Sequence, residues 1–333
     1  MVELLVWTGF ALALAGTVFV GVLTLRRLVL TRSERLVREE EERLRPLALA
    51  LVDGDTVELT DLSERSARVL AALLGRYSRW LAGDARERIG RFFERTGGLD
   101  AELGALADRR AWRRATAAFV LGDMASPRAE PALLHALHDP AREVRAAAAR
   151  SLGRLGCAAA VEPIVYALAE DSIPRSAAGS ALLSLGAAAL PSLRELERRA
   201  EPEVRAFSVE LVGLVGDASD GPLLVERLRD SSAETRAKAA RALGRLAAED
   251  AAAALRGALD DRIPFVRAAA AHASGLVGDP QAASRLLELA REDSFDAARA
   301  AAQALARVAP EVVRREADSS PHLAEAADLL DLR

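Results

Sequence analysis

The sequence predicts an all-α protein, a solenoid of repeated helical hairpins preceded by one transmembrane helix. Three observations support this fold class. Apolar residues make up 51% of the chain but aromatic residues only 4%, so alanine and leucine supply most of the apolar surface. Both of these residues favour helices over strands. An arginine also recurs at intervals of about thirty residues, and one long uncharged run lies near residue 1.

The charge balance limits the classes of partner. Charged residues make up 28% of the chain and the formal net charge is -4, which does not fit the basic surface of a nucleic-acid binder. Arginine supplies nearly all of the positive charge, since Lys238 is the only lysine. The single cysteine, Cys157, excludes an intramolecular disulfide framework and fits a reducing compartment.

Residues 4–25 form an uncharged run of 22 residues. As a helix this run is about 33 Å long, enough to cross the hydrocarbon core of a bilayer. A secretory signal peptide is the alternative, but the three residues after which it would begin carry no basic side chain. Arginines follow the run at Arg26, Arg27, Arg32, Arg35 and Arg38. The positive-inside rule therefore predicts a single-pass anchor in the inner (cytoplasmic) membrane, with the N-terminus outside and the repeats in the cytoplasm.

Residues 26–46 are predicted to form a charged juxtamembrane helix, because acid-first i,i+4 pairs recur along them. A lipid-headgroup site is the alternative for this segment. We expect Pro46 to bend or end the helix, and residues 47–98 to form a helical cap region. In that region Asp53-Gly54-Asp55 predicts a tight turn, within a hairpin or a loop, rather than an Asp-x-Asp metal site.

Seven arginines in one phase define about seven repeat units over residues 99–318. They are Arg114, Arg145, Arg175, Arg205, Arg236, Arg267 and Arg299. In most units an aspartate stands six residues before the arginine, a glycine eight residues after it, and a proline at the start of the following helix. Each unit is therefore predicted as a helix, a turn and a second helix, and the units must stack to bury their apolar faces. Residues 319–333 predict a C-terminal capping helix.

Each repeated position has an expected physical role. The proline suits the first turn of a helix, where its missing N–H costs nothing. The aspartate is expected to cap the second helix. The glycine is expected to end that helix and to let neighbouring helices approach closely.

The segment Glu143-Val144-Arg145-Ala146, which recurs as Glu203-Val204-Arg205-Ala206, resembles the short HEAT repeats of bacteria, which also occur in phycobilin-lyase-like proteins. The resemblance covers roughly residues 99 to 310 and implies a right-handed α-α superhelix. It also implies a ladder of aspartates and arginines between neighbouring units. The residues that receive this role are Asp139, Arg145, Asp230, Arg236, Asp261 and Arg267. Asp171 and Glu201 are out of register, so the ladder is expected to be irregular there.

No motif in the sequence indicates catalysis. His135 and His138 have a spacing that places two ligands on one helix face, but no third ligand completes a metal site. Cys157 is predicted to be a packed thiol rather than a nucleophile. A phosphate-binding loop, a nucleophile elbow and a kinase signature are all missing from the sequence. We therefore expect a protein that is not an enzyme and that needs no cofactor or metal.

The second helices of a HEAT superhelix line its concave side, and one face of them carries the candidates for partner binding. These are Arg150, Arg154, Phe207, Glu210, Leu214, Lys238, Arg241, Arg245 and His272. Basic patches alternate with apolar residues on this face, which suits an acidic protein surface. A solvated face that binds nothing is the alternative.

The leading interpretation is a membrane-anchored, non-catalytic scaffold that binds a protein partner, either a membrane protein or a membrane-associated complex. The resemblance adds a polysaccharide glycosyltransferase as an example, since small anchored bacterial HEAT proteins can accompany such enzymes. Two alternatives stay open: a bilin-lyase-like enzyme or chromophore-binding protein, and a nucleic-acid-binding HEAT module. Scarce aromatics argue against the first and net acidity against the second. The sequence predicts no oligomeric state.

Overall fold

The computed structural model describes residues 19, 27, 35–55, 62–199 and 201–332. Helices are the only regular secondary structure in these residues, which contain no strand. The chain divides into two compact units. Unit 1 comprises residues 1–102 and 123–127, and unit 2 comprises residues 103–122 and 128–333. The predicted transmembrane run, residues 4–25, lies outside the described residues except for Phe19.

Unit 1 contains three helices, which we number α1 (35–53), α2 (Glu64–Tyr77) and α3 (Asp84–Arg95). Their buried side chains are almost all aliphatic or phenylalanine. Polar contacts join the helices at their margins. The Ser66 hydroxyl of α2 donates to Glu40 Oε1 of α1 at 2.7 Å, and Arg88 of α3 donates to the Val52 carbonyl at 2.7 Å.

The expected end of the first helix at Pro46 is wrong. Helix α1 continues through this proline to residue 53, although a proline inside a helix costs about 3 kcal/mol. Pro46 is exposed, while Leu44, Ala48 and Val52 are buried at spacings of four residues. Burial on both sides of the proline therefore offsets the missing hydrogen bond.

The Asp53-Gly54-Asp55 segment forms the turn that ends α1. Gly54 has a φ of +96°, and the N–H groups of Gly54 and Asp55 both donate to the Ala50 carbonyl, at 3.0 and 2.9 Å. Residues 47–53 are helical, so they are not the first strand of a hairpin. Residues 56–61, the rest of the predicted turn region, lie outside the described residues.

From residue 98 onward the helices come in consecutive pairs, each with a first and a second helix. The pairs are α4 (Gly98–Ala105) and α5 (Ala111–Asp123), α6 (Glu130–Ala136) and α7 (Arg142–Leu155), α8 (Val161–Ala169) and α9 (Arg175–Leu185), α10 (Leu190–Arg199) and α11 (Pro202–Val215), α12 (Gly221–Arg227) and α13 (Ala233–Arg245), α14 (Ala252–Ala258) and α15 (Pro264–Val277), α16 (Ala283–Glu292) and α17 (Phe295–Val308), and α18 (Pro310–Glu316) and α19 (Pro321–Asp331). Short 3-10 turns precede most of the first helices. The second helices of successive pairs pack side by side.

A glycine column lets the second helices of unit 2 approach each other at backbone distance. A Cβ atom added to Gly153 would lie 2.6 Å from the Cα atom of Ala181 in the next second helix. The corresponding distance is 2.7 Å both from Gly244 to Ala273 and from Gly275 to Ala304. No side chain larger than hydrogen fits these positions without displacing a helix.

One pair of neighbouring second helices, α9 and α11, packs less closely than the others. The repeat register places Leu183 of α9 in the glycine column and Leu211 of α11 in the small-residue column that faces it. The Phe207 ring lies against Gly179, where an added Cβ would be 2.8 Å from the ring Cζ atom. Bulky side chains thus separate two helices that glycine and alanine would bring together. We call this place the α9–α11 discontinuity.

Within the described residues, one stretch is long and apolar enough to cross a membrane, Arg175–Arg198. It contains α9 and α10, which are joined by the 3-10 turn Gly186–Ala189, and half of its apolar window is buried inside the protein. Both helices belong to the repeat packing. This stretch is therefore weak evidence for a membrane span.

Candidate functional site

A ladder of bidentate ion pairs joins successive repeats along the turns between first and second helices. Each arginine donates from Nε and Nη2 to both carboxylate oxygens of an aspartate in the following repeat. The pairs are Arg114 with Asp139, Arg205 with Asp230, Arg236 with Asp261, and Arg267 with Asp293. In the Arg236–Asp261 pair the distances are 2.6 and 2.9 Å. Bidentate geometry of this kind fixes orientation as well as distance.

Each ladder arginine also holds the turn of its own repeat. Arg236 Nη1 donates to the Asp230 carbonyl at 2.9 Å, and Arg267 Nη1 donates to the Asp261 carbonyl at 2.7 Å. The hydrogen bond from Arg236 is the main cause of the lowered pKa of the Asp261 carboxyl, which burial opposes. One guanidinium therefore fixes two consecutive turns.

The ladder aspartates do not cap the second helices in the expected way. The Asp139 carboxylate accepts the Ala141 N–H at 2.8 Å, and the Asp261 carboxylate accepts the Ile263 N–H at 2.9 Å. Ala141 and Ile263 are themselves the N-cap residues, so each aspartate closes the turn before the helix. A cap would accept from the second or third residue inside the helix.

Where Asp171 and Glu201 are out of register, the arginines use other acceptors. Arg145 donates from Nε and Nη2 to the Ser172 carbonyl, at 2.9 and 2.7 Å. Arg145 also donates to the Asp139 carbonyl of its own repeat at 2.7 Å. Arg175 pairs with Glu203 on the exposed surface. These two repeats flank the α9–α11 discontinuity.

A second set of ion pairs joins the first helices, and sequence reasoning missed it. Arg194 of α10 binds Asp220 at 2.7 Å, and Arg256 of α14 binds Asp279 at 2.6 Å. Both aspartates lie in the turn that opens the following repeat. These arginines have no common position relative to the ladder arginines, so the repeat pattern gave no signal for them.

The predicted binding residues lie on one face of the second helices. We call it the second-helix face, and it consists of Phe119, Arg150, Arg154, Ser180, Leu183, Ser184, Phe207, Glu210, Leu214, Lys238, Arg241, Arg245, His272, Leu276, Gln303 and Arg307. Some of these residues contact the neighbouring repeat, whereas others face solvent.

Arg154 and Arg245 are engaged in contacts between repeats. Arg154 donates to the Phe119 carbonyl at 2.8 Å, and its guanidinium carbon lies 4.6 Å from the centre of the Phe119 ring. Arg245 donates to the Gly213 carbonyl at 3.1 Å. Both arginines reach backbone of the preceding second helix, so they contribute to stacking.

Glu210 and Lys238 pair with each other across adjacent second helices at 3.0 Å. Lys238 also contacts Glu234 at 3.0 Å, and its side chain is largely covered. Phe207 is half-buried against Gly179. These three predicted binding residues therefore have partners inside the repeat array.

Arg150, Arg241, Leu214 and His272 are the predicted residues that remain available to a partner. Arg150 and Arg241 form no ion pair with a carboxylate among the described residues. Leu214 and His272 are exposed. The pKa of the His272 imidazole is lowered, first by desolvation and then by the charges of Arg307 and Arg241.

Large apolar side chains are exposed at intervals along the second-helix face. Leu183 is 40% exposed, Leu214 45% and Leu276 43%, and Phe119 is exposed beside Arg154. Sequence reasoning named Leu214 but passed over Leu183, which stands in the glycine column. Apolar groups spaced along one polar face are typical of a surface that meets another macromolecule.

The residues considered for chemistry are not assembled into a reactive site in the described part of the chain. His135 and His138 are both exposed, and no group of three or more His, Cys, Asp or Glu side chains there is placed to hold a metal ion. Cys157 is buried. The pKa of its thiol is raised, first by burial and then by the Glu130 carboxyl, which disfavours the nucleophilic thiolate.

Stacked pairs of helices joined by an arginine–aspartate ladder define an α-helical repeat protein. A family model described as HEAT repeats matches residues 101–183 and 221–306, which together are more than half of the chain. The chain belongs to the HEAT-repeat family. The gap between the two matches, residues 184–220, contains α10 and α11 and borders the α9–α11 discontinuity.

Solved structures share the fold at low sequence identity. Kap95p, in a complex with RanGDP, is 14% identical with a TM-score of 0.53, over 85% of this chain and 46% of Kap95p. Human deoxyhypusine hydroxylase is 20% identical with a TM-score of 0.32, over 81% of this chain and 97% of the hydroxylase. A chain of the CpcE–CpcF phycocyanin lyase from Nostoc sp. is 22% identical with a TM-score of 0.27, over 85% of this chain and 92% of the lyase chain. None of the curated proteins matches the sequence significantly.

Proposed function

We propose that this protein is a membrane-anchored, non-catalytic scaffold that binds a protein partner through the second-helix face. One observation supports this function above the others, the exposure of Leu183, Leu214 and Leu276 along that single face. Scattered exposed leucines need no explanation, but a row of them on successive helices favours a docking surface. Kap95p, which has a similar fold, is a protein that binds RanGDP.

The membrane anchor of this proposal is supported by the sequence alone. The uncharged run 4–25 is long enough to span a bilayer, and the arginines after it favour a cytoplasmic location for the repeats. The partner is then a protein of the same inner membrane or of a complex assembled on it, such as a polysaccharide glycosyltransferase. Tethering raises the effective concentration of the two partners, so modest affinity is sufficient.

Site-specific photocrosslinking in native membranes tests the binding face. A photoreactive amino acid replaces Leu214 or Leu276 in the full-length protein. The matched control replaces Tyr166, a large apolar residue that is 69% exposed but lies on the first helix α8. We expect one adduct of the same mass from positions 214 and 276 and none from position 166.

Two outcomes would contradict the proposal. Equal crosslinking from Tyr166 would show that the second-helix face has no special role. Recovery of the full-length protein in the soluble fraction of lysed cells would remove the anchor, whatever the crosslinks show.

A further inference from the structure

Three cationic side chains project from consecutive second helices at the C-terminal end of the second-helix face. They are Arg241 of α13, His272 of α15 and Arg307 of α17, and these helices pack side by side. The lowered pKa of the His272 imidazole has the charges of both Arg307 and Arg241 among its causes. The three groups therefore act within one local electrostatic field.

The chain does not neutralise this cluster. The ladder arginines each bind an aspartate, as Arg236 binds Asp261 at 2.6 Å. Arg241 and Arg307, in contrast, form no ion pair with a carboxylate among the described residues. A positive patch on a protein with a net charge of -4 is a local exception, and an acidic partner would complement it.

An apolar cavity lies at one end of the cluster. It has a volume of about 150 Å³ and is lined by residues of α17 and α19: Gln303, Ala306, Arg307, Ala326, Leu329 and Leu330. A cavity of this size accommodates one branched or aromatic side chain. Arg307 belongs to both the cavity and the cationic cluster, so an apolar side chain and a carboxylate of one ligand can be bound together.

We propose that this end of the second-helix face binds an acidic segment of a protein partner, with one large apolar side chain in the cavity and carboxylates at Arg307, His272 and Arg241. The inference rests on the proposed function and specifies the chemistry of its partner. Nucleic acid fits less well, because three cations offer few phosphate contacts and the cavity wall is apolar. An anionic bilayer offers no single side chain for a closed cavity.

Fluorescence anisotropy with defined peptides tests this inference on the full-length protein in detergent. The first probe is a peptide of alternating glutamates with one central leucine. Its matched controls carry lysine for glutamate, or serine for the leucine. We expect the acidic leucine peptide to bind, and the double variant Arg241→Glu with Arg307→Glu to weaken its binding by about tenfold or more.

A control variant separates the site from net charge. Arg229 is exposed in the turn after α12, outside the second-helix face, and Arg229→Glu is expected to leave binding within about twofold of wild type. The serine peptide is expected to bind at least about tenfold more weakly than the leucine peptide, since the cavity loses its occupant.

The outcomes separate this inference from the proposed function. Equal binding of the acidic and basic peptides, or tighter binding of duplex DNA or phosphatidylglycerol vesicles than of the acidic peptide, would overturn the inference. If that happens while positions 214 and 276 still crosslink one partner, the scaffold function stands without it. If crosslinking fails as well, both fall.

Discussion

At the scale of single residues, the ladder arginines carry the contacts between repeats. Arg236 is 9% exposed and binds Asp261 with two hydrogen bonds and the carbonyl of Asp230 with a third. Removing such a side chain leaves a largely buried carboxylate without its cation, which costs more than the pair contributes. The exposed Arg175–Glu203 pair has no such consequence.

The substitution Arg236→Ala is therefore expected to reduce the free energy of unfolding by roughly 2–3 kcal/mol. Arg175→Ala, in the same column of the repeat, is expected to cost less than about 1 kcal/mol, because its ion pair is exposed to solvent. Urea unfolding followed by circular dichroism in detergent measures both. Equal losses for the two variants would contradict the distinction.

The ladder carboxyls also predict a loss of stability in acid. The pKa values of Asp139, Asp261 and Asp293 are lowered, in each case first by a hydrogen bond from an arginine. A carboxyl with a lowered pKa in the folded state stabilises the fold above its unfolded pKa of about 3.9, and this stability is lost as pH falls through the folded pKa.

In Asp261→Asn one of these titrations is removed, so the urea midpoint should depend less on pH below about 4.5 than in wild type. Asp328→Asn, at an exposed position of α19, serves as the control and should keep the wild-type pH dependence. Parallel curves for Asp261→Asn and wild type would show that the ladder does not cause the acid sensitivity.

The arginine and aspartate columns were visible in the sequence, but their pairing was not. The phase of Arg236 and Asp261 is a property of one repeat, whereas the bond joins residues of adjacent repeats. Arg154 and Arg245 looked like binding residues because their backbone acceptors, the carbonyls of Phe119 and Gly213, leave no trace in a side-chain pattern. Their contribution to stacking therefore required coordinates.

At the scale of helices, the glycine column controls how closely neighbours pack. The periodic glycines predicted close packing, and added Cβ atoms at Gly153, Gly244 and Gly275 would collide with the next helix. Pro46 shows the opposite case, because its local effect predicted a helix end that burial of Leu44, Ala48 and Val52 overrides. Local propensity was reliable where it agreed with packing and failed where packing opposed it.

Replacing glycine by alanine is expected to have opposite effects at two helical positions. Gly244→Ala should destabilise the protein by about 1–3 kcal/mol, because the new Cβ would lie 2.7 Å from the Ala273 Cα atom. Gly257→Ala on α14, where nothing lies within 4 Å, should stabilise it by about 0.5–1 kcal/mol through helix propensity. Thermal unfolding of both variants checks the sign, and stabilisation by Gly244→Ala would refute the packing argument.

At the scale of the whole molecule, repeat arrays derive their stability from each repeat and from its nearest neighbours. The α9–α11 discontinuity weakens one of these interfaces within unit 2, since Leu183 and Leu211 replace small residues there. The family match is interrupted over residues 184–220, next to the same place. A defect at one interface should therefore spread less across this boundary than along the rest of the array.

Hydrogen exchange measured by mass spectrometry tests this limited cooperativity. In the Gly244→Ala variant, we expect backbone amides of α11, α13 and α15 to lose protection, while those of α7 and α9 stay close to wild type. Gly153→Ala should give the reverse distribution. A uniform loss of protection over all five helices would show that the array unfolds as a single unit.

The α9–α11 discontinuity also identifies where the polypeptide could be divided into two complementing fragments. A break at Gly186, in the turn after α9, separates helices whose side chains already hold them apart. A break beside Gly153 or Gly244 would instead strip backbone-to-backbone packing from both new ends. Leu183 and Leu211 thus indicate the place where two separately made pieces would have the least contact to rebuild.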